Sequence, residues 1–123
     1  MFDSRPMSDQ NSLTNAVTAR RDDLIALTQD LIRIPTLNPP GNNYREICEY
    51  LDLRLRNSGF ATELIRAHGT PGDSDKYPRW NIVARRDGGQ NGDCVHFNSH
   101  TDVVEVGNGW TKDPFGGELV DGQ

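Results

Sequence analysis

Two stretches of helical apolar periodicity, each ended by a residue that breaks a helix, constrain the fold most. In the first, which begins near Thr14, apolar residues recur at intervals of three, four and seven positions, as in a helix with one buried face. Pro35 ends it, because the residue before a proline is pushed out of the α-helical region. The second covers residues 44–58, and Gly59 supplies its stop. The apolar positions are Val17, Leu24, Leu27, Leu31 and Ile34 in the first stretch and Ile47, Cys48, Leu51 and Leu55 in the second.

Three short β-rich runs follow, at residues 60–67, 80–86 and 94–99. The last two are joined by the turn-forming sequence DGGQNGD, which predicts that they pair as antiparallel strands. Strands that follow helices indicate α/β layering. The sequence therefore predicts an α/β fold with helices packed on a mixed β-sheet, in one domain at residues 13–123 after a flexible tail at residues 1–12.

Composition argues against several classes of partner. The 123 residues carry 13 basic and 18 acidic side chains, and no basic cluster alternates with aromatic residues, so no nucleic-acid partner is expected. No apolar run has the length of a signal peptide or a membrane span, so no membrane association is expected. Cys48 and Cys94 have no CxxC partner and are predicted to be small buried groups in a cytoplasmic protein.

Two of the three histidines, His96 and His100, lie four residues apart in the sequence HFNSHTD. On a helix this spacing would put both on one face, where they could share a metal ion. In an extended strand they are separated by about 13 Å, too far to bind one ion. His96 is therefore expected to be a packed or edge residue and not a ligand.

Ser99, His100 and Asp102 have the residue types of a hydrolytic triad but not its geometry. Neighbours in an extended chain point to opposite faces, so Ser99 and His100 cannot meet. His100 and Asp102 share one face, about 6.6 Å apart between Cα atoms, if the extended conformation continues. A histidine that binds a metal through one nitrogen commonly donates its other N–H to a carboxylate. The spacing alone leaves two interpretations open, a metal ligand with its orienting carboxylate or a surface turn with a hydrogen-bonded histidine.

The wider sequence resembles a known enzyme family. The segment FNSHTDVVEVGNGWTKDPFGGELVDGQ is similar to the first metal-binding segment of the M20 family of zinc-dependent amidohydrolases and peptidases. That segment has a small residue and H-T-D-V-V after a strand, then a tryptophan, a Pro-Phe pair and an acidic-Gly turn. The upstream sequence LTQDLIRIPTLNPPGNNYREICEYLDLRLRNSGF resembles the opening helix, loop and second helix of the family. The resemblance covers about residues 20–123 and is closest to the branch of acetylornithine deacetylase and succinyl-diaminopimelate desuccinylase.

The resemblance implies a site and a reaction. His100 matches the histidine that binds one of two zinc ions, and Asp102 matches the catalytic-site carboxylate that supports it. The implied cofactor is zinc, with cobalt as an alternative. The implied reaction is hydrolysis of an amide bond in a small N-acyl amino acid, and full-length members are often homodimers. Trp110 and Phe115 are interpreted as core or loop-anchoring aromatic residues.

The sequence carries one metal ligand of the family's set. The bridging aspartate, the general-base glutamate and the remaining ligands have no counterpart, and Glu105 and Glu118 are interpreted as solvated loop carboxylates. A catalytic zinc needs about three protein ligands. We therefore expect an N-terminal portion of the zinc-peptidase-type catalytic domain that is inactive alone. The alternatives are a non-catalytic α/β module that keeps the scaffold, and a carboxypeptidase or dipeptidase of the same family.

Overall fold

The computed structural model describes residues 7–89 and 92–122. In these ranges the regular elements are three helices, α1 (Met7–Thr18), α2 (Arg21–Ile32) and α3 (Tyr44–Asn57), and two strands, β1 (Ala61–Arg66) and β2 (Trp80–Arg85). The strands pair antiparallel, and α3 contacts both of them. The predicted α/β class is confirmed. None of the helices described is long and apolar enough to cross a membrane.

The first apolar stretch forms two helices instead of one. A run of four charged residues, 20–23, interrupts its apolar positions, so no continuous apolar face carries a helix through this point. The Arg20 N–H donates to the Val17 carbonyl oxygen at 3.0 Å, in the turn between α1 and α2. α1 begins at Met7, so residues 7–12 of the predicted tail are helical, and residues 1–6 lie outside the described ranges. α2 ends at Ile32, before Pro35, as predicted.

α3 carries the most buried apolar side chains. Ile47 and Cys48 are 3% and 4% exposed, and burial raises the pKa of the Cys48 thiol above its ordinary value. The helix ends as predicted, with Gly59 in the left-handed conformation at φ +83°. At its start, the Asn43 side-chain amide donates to the Pro35 carbonyl oxygen at 3.0 Å and ties the helix to the end of the first helical stretch.

The strand predicted at residues 94–99 does not form. A strand is stabilised by hydrogen bonds to a neighbour, and within the described ranges β2 pairs with β1 instead of with this segment. Val95 and Phe97 are 73% and 87% exposed, and Cys94 is exposed, so the predicted burial of Cys94 is wrong. The prediction failed because β propensity is local and does not choose the partner strand.

The chain returns to the rest of the fold at Val103. Val103 and Leu37 form an isolated parallel β-bridge. Among the described residues it is the only parallel pairing, of the kind that the predicted mixed sheet called for. The Asn38 N–H donates to the Val103 carbonyl oxygen at 2.8 Å, and the Val103 N–H donates to the Thr36 carbonyl oxygen at 3.0 Å. The buried Thr36 hydroxyl donates to the Thr101 carbonyl oxygen at 2.5 Å. We call these contacts the 36–103 bridge.

Residues 113–118 fold back against α2. The Gln29 side-chain amide donates to the Gly117 carbonyl oxygen at 2.7 Å, and the Arg33 Nε donates to the Gly116 carbonyl oxygen at 3.2 Å. Phe115, in this segment, is half-buried, as expected of an anchoring residue. Trp110 is 61% exposed, so it is not a core residue.

Ile47→Ala is expected to lower the free energy of unfolding by about 2–5 kcal/mol, because it removes buried apolar atoms and leaves a cavity. The matched control is Leu53→Ala on the same helix, where the side chain is 61% exposed and the expected change is within about 0.5 kcal/mol. Urea unfolding followed by circular dichroism measures both. Equal losses for the two variants would contradict the placement of the core on this face of α3.

Candidate metal-binding site

His100 and Asp102 contact each other directly. The His100 Nδ1 lies 3.1 Å from the Asp102 Oδ1 and 3.0 Å from the Asp102 backbone carbonyl oxygen. A carbonyl oxygen only accepts hydrogen bonds, so Nδ1 carries the hydrogen of the neutral ring and Nε2 carries its lone pair. The His100 side chain is 85% exposed, and the ring is therefore accessible to a metal ion. Its role as a ligand stays a prediction.

Asn38 holds the Asp102 carboxylate from the other side. The Asn38 Nδ2 donates to the Asp102 Oδ2 at 2.8 Å, and the Tyr44 hydroxyl also hydrogen-bonds this carboxylate. The hydrogen bond from Asn38 is the main reason that the pKa of the Asp102 carboxyl lies below its ordinary value, while burial acts in the opposite direction. Asp102 is therefore an ionised acceptor for the His100 N–H at neutral pH.

Arg79 holds Asn38 in turn. The Arg79 Nη1 and Nη2 atoms each lie 3.2 Å from the Asn38 Oδ1. The guanidinium carbon lies 4.9 Å from the centre of the Tyr44 ring, a cation–π distance. Burial raises the pKa of the Tyr44 hydroxyl, the hydrogen bond to Asp102 raises it further, and the Arg79 charge lowers it. Three side chains, those of Asn38, Tyr44 and His100, thus hydrogen-bond the Asp102 carboxylate, and Arg79 lies behind the first two.

Two glycines make room for the Arg79 guanidinium. A Cβ atom at Gly41 would overlap Nη1, and one at Gly72 would overlap Nη2. Both glycines have positive φ, +105° and +81°, which side chains rarely adopt. The path of the two loops past Arg79 therefore depends on glycine at both positions.

Asp73 anchors the loop that carries Arg79. Its Oδ1 accepts the Arg79 backbone N–H at 3.0 Å and lies 2.9 Å from the Arg66 Nη2, and its Oδ2 accepts the Gly69 N–H at 3.1 Å. The Asp73 side chain is 7% exposed. The hydrogen bond from the Arg79 backbone is the main cause that lowers the pKa of the Asp73 carboxyl below its ordinary value.

Within the part of the chain that the structure describes, His100 does not belong to a complete set of metal ligands. Across residues 7–89 and 92–122, no three side chains of histidine, cysteine, aspartate or glutamate cluster as a metal site would require. His96, Glu105 and Glu118 are exposed. The Ser99 hydroxyl donates to the His100 backbone carbonyl oxygen at 3.3 Å and not to the imidazole ring. Ser99 and His100 therefore do not form the hydrogen bond of a hydrolytic triad. The donor set fits one zinc ligand with its supporting carboxylate, and not a complete zinc site.

His100 lines a groove of about 1900 Å³ between residues 94–107 and apolar side chains of α2, α3 and β2. Ligand pockets usually have volumes of about 300–1,000 Å³. Residues 94–99, which do not pair with the sheet, line one side of the groove. Its shape therefore does not define a substrate, although it leaves the His100 ring open on that side.

Sequence reasoning missed Asn38, Tyr44 and Arg79. Asn38 and Tyr44 lie in the segment NPPGNNY, which marks a loop and a helix start but gives no sign that their side chains reach residue 102. Arg79 follows a proline in a loop, and no local pattern distinguishes it from the other arginines. The fold brings Asn38 and Tyr44 to Asp102 and places Arg79 against Asn38.

Asp73→Asn is expected to make the free energy of unfolding depend less on pH under acidic conditions. Because the pKa of Asp73 is lower in the folded than in the unfolded chain, its stabilising contribution is present above the unfolded value, about 3.9, and is lost as the pH falls through the folded value. Urea unfolding between about pH 2 and 6 should therefore give a shallower acid limb in the variant. The control is Asp75→Asn, since Asp75 is fully exposed and lies 3.9 Å from Arg66. An unchanged limb in Asp73→Asn would contradict the assignment.

Comparison with known proteins finds similarity to succinyl-diaminopimelate desuccinylases. The chain is 37% identical over 102 residues to that of Cereibacter sphaeroides (strain ATCC 17029 / ATH 2.4.9), 38% over 104 residues to that of Methylobacterium radiotolerans, and 34% over 100 residues to that of Rhodospirillum rubrum. The alignments cover 81–82% of this chain and 23–24% of each relative, so the chain spans about a quarter of the length of the curated relatives it matches. No family model matches the chain, and no solved structure does.

The relatives belong to the branch that the sequence around His100 resembles. Identities of 34–38% extend over four fifths of the chain and are reached with desuccinylases from three genera. The curated relatives of the chain are therefore succinyl-diaminopimelate desuccinylases of the M20 family, and the chain corresponds to about a quarter of each.

Proposed function

We propose that the chain supplies one zinc ligand, His100, and its orienting carboxylate, Asp102, to a zinc-dependent amidohydrolase that removes an acyl group from an N-acyl amino acid. The observation that carries the proposal is the hydrogen bond from the His100 Nδ1 to the Asp102 Oδ1, which leaves Nε2 of an exposed ring as an electron-pair donor. The relatives support the substrate class, since their name describes removal of a succinyl group from succinyl-diaminopimelate.

Each residue has a distinct role in this proposal. Zinc, when bound, supplies Lewis acidity that lowers the pKa of a bound water towards about 7 and polarises an amide carbonyl. His100 offers its Nε2 lone pair. The ionised Asp102 accepts the Nδ1–H, fixes the orientation of the ring and raises the basicity of the imidazole. A pair of zinc ions, replacement by cobalt, a homodimer and a cytoplasmic location are further parts of the proposal that come from the family resemblance.

The chain alone is proposed to be inactive. A catalytic zinc has about three protein ligands, and the described residues offer one. A single imidazole, even with its supporting carboxylate, binds zinc much more weakly than a set of three ligands. We therefore expect measurable but weak zinc binding, and no hydrolysis.

Calorimetric zinc titration tests the metal site. The chain is expected to bind zinc with a Kd above about 1 µM, because one ligand leaves most of the coordination shell to water. His100→Ala should abolish this binding, and Asp102→Ala should weaken it by about tenfold or more. His96→Ala is the matched control, because His96 is also an exposed histidine in the same segment and should not affect binding. Sub-micromolar affinity, or binding that survives His100→Ala, would overturn the site.

Transplanting the chain into a relative tests the reaction. In a chimera, this chain replaces the matched quarter of the Cereibacter sphaeroides enzyme, and succinate release from succinyl-diaminopimelate is measured with and without zinc. The folded chimera should hydrolyse the substrate with zinc, and His100→Ala should lower kcat/KM by about 100-fold or more, since second-ligand-sphere changes alone cost up to that factor. His96→Ala should keep the activity. A folded, zinc-loaded chimera without hydrolysis would contradict the proposed function.

A further inference from the structure

We infer that Arg79 and Asn38 are positioning residues for the His100 ring, which they orient by fixing the Asp102 carboxylate. The inference deepens the proposed function and rests on it, because orientation of the ring matters to the reaction only if His100 is a ligand. The contacts on which it is based lie within this chain and need neither metal nor substrate.

The contacts form a relay in which each link determines the next. The Asn38 amide has one accepting end, Oδ1, and one donating end, Nδ2. Both Arg79 Nη atoms lie 3.2 Å from Oδ1, so Nδ2 is turned to the Asp102 Oδ2 at 2.8 Å. The other carboxylate oxygen, Oδ1, then lies 3.1 Å from the His100 Nδ1.

Arg79 selects one of two orientations of the Asn38 amide. If the amide turned by 180°, its NH2 group would face the guanidinium and its oxygen would face the carboxylate. Both contacts would be repulsive, donor against donor and acceptor against acceptor. A cation on one side of Asn38 and an anion on the other therefore exclude the turned form and fix the carboxylate.

Several contacts hold Arg79 in place. Its guanidinium lies against the Tyr44 ring and in the space left by Gly41 and Gly72, and its backbone N–H is held by Asp73. Within the described residues its Nε atom is buried and has no hydrogen-bond partner. An unpaired buried donor costs free energy. This cost indicates that the arginine is placed for its Nη contacts with Asn38.

The relay ends at an exposed group, which distinguishes it from ordinary structural hydrogen bonding. Arg79, Asn38 and Tyr44 are partly buried, whereas the His100 side chain is 85% exposed. Ordering an exposed ring adds little to the stability of the fold, because water can satisfy both of its nitrogens. The hydrogen bonds therefore fix the orientation of the imidazole ring and the nitrogen that carries its hydrogen.

The tautomer of His100 is the property to measure, by ¹⁵N NMR of the metal-free chain in mildly alkaline buffer, where imidazoles are neutral. The wild type should have the hydrogen mainly on Nδ1. Asp102→Ala gives the full change in the tautomer ratio that loss of the carboxylate causes, because the backbone carbonyl of residue 102 remains as an acceptor. Arg79→Met and Asn38→Asp should each shift the ratio of the two tautomers towards the Nε2–H form by about threefold or more, as loss of one hydrogen bond predicts.

Arg45→Met is the matched control. Arg45 also stacks on an aromatic ring, with its guanidinium carbon 5.7 Å from the centre of Trp80, but it is exposed and pairs with Glu49. Its loss should leave the tautomer ratio of His100 unchanged. Asn38→Asp keeps the shape of the side chain and an acceptor for Arg79, and it replaces the donor to Asp102 with a carboxylate oxygen that repels the Asp102 carboxylate. It therefore carries the test if Arg79→Met lowers the unfolding temperature too far for NMR.

A double variant shows whether Arg79 acts through the carboxylate. Arg79→Met combined with Asp102→Ala should give the same ratio as Asp102→Ala alone, and Arg79→Lys should restore part of the wild-type ratio because it keeps the charge. The inference is overturned if Asp102→Ala has no effect, if Arg79→Met and Asn38→Asp both keep the wild-type ratio, or if Arg79→Met adds to Asp102→Ala. If the wild-type chain does not bind zinc, the proposed function is overturned instead. The tautomer ratios, which are measured on the metal-free chain, do not depend on that result.

Discussion

The backbone hydrogen bonds of the 36–103 bridge are the interaction on which the candidate site depends. They join the loop after α2 to a segment more than 60 residues later, whose N-terminal side pairs with no strand among the described residues. The same loop carries Asn38, whose backbone N–H donates to Val103 while its side chain donates to Asp102. One residue thus holds both the main chain and the carboxylate in place. Without the bridge, His100 and Asp102 would lie in an unanchored segment.

Around this bridge, charged side chains alternate with neutral polar side chains. A guanidinium, an amide, a carboxylate and an imidazole follow one another. The guanidinium donates to the amide oxygen, and the carboxylate accepts from the amide on one side and from the imidazole on the other. The helix start at Tyr44 adds a hydroxyl to the same carboxylate, and the loop anchored by Asp73 brings in the guanidinium. Such an arrangement stabilises one ionised carboxylate close to an exposed ring, which is the local environment that a metal-binding histidine requires.

The sequence predicted the parts of this structure that depend on neighbours a few residues away. The end of α2 before Pro35, the bounds of α3 and the two short strands follow from periodicity and from residues that stop a helix. The spacing of His100 and Asp102 was compatible with their contact, although the extended strand from which it was argued does not form. The sequence did not predict that residues 94–99 stay unpaired, because strand pairing depends on which partner is available and not on β propensity alone. Asn38 and Arg79 were missed for a related reason, since their contacts join residues 41 and 64 positions apart, beyond any local pattern.

The two glycines beside Arg79 have a consequence for how this segment tolerates mutation. A methyl group at either position would push the guanidinium away, and the disturbance would pass along three side chains before it reached the ring. A change of a single carbon atom in these two loops would thus disturb the Asp102 carboxylate and the His100 ring without altering either of those residues. Such damage would be invisible to an inspection limited to the ligands themselves. The amino acid with the smallest side chain is therefore as constrained here as the histidine.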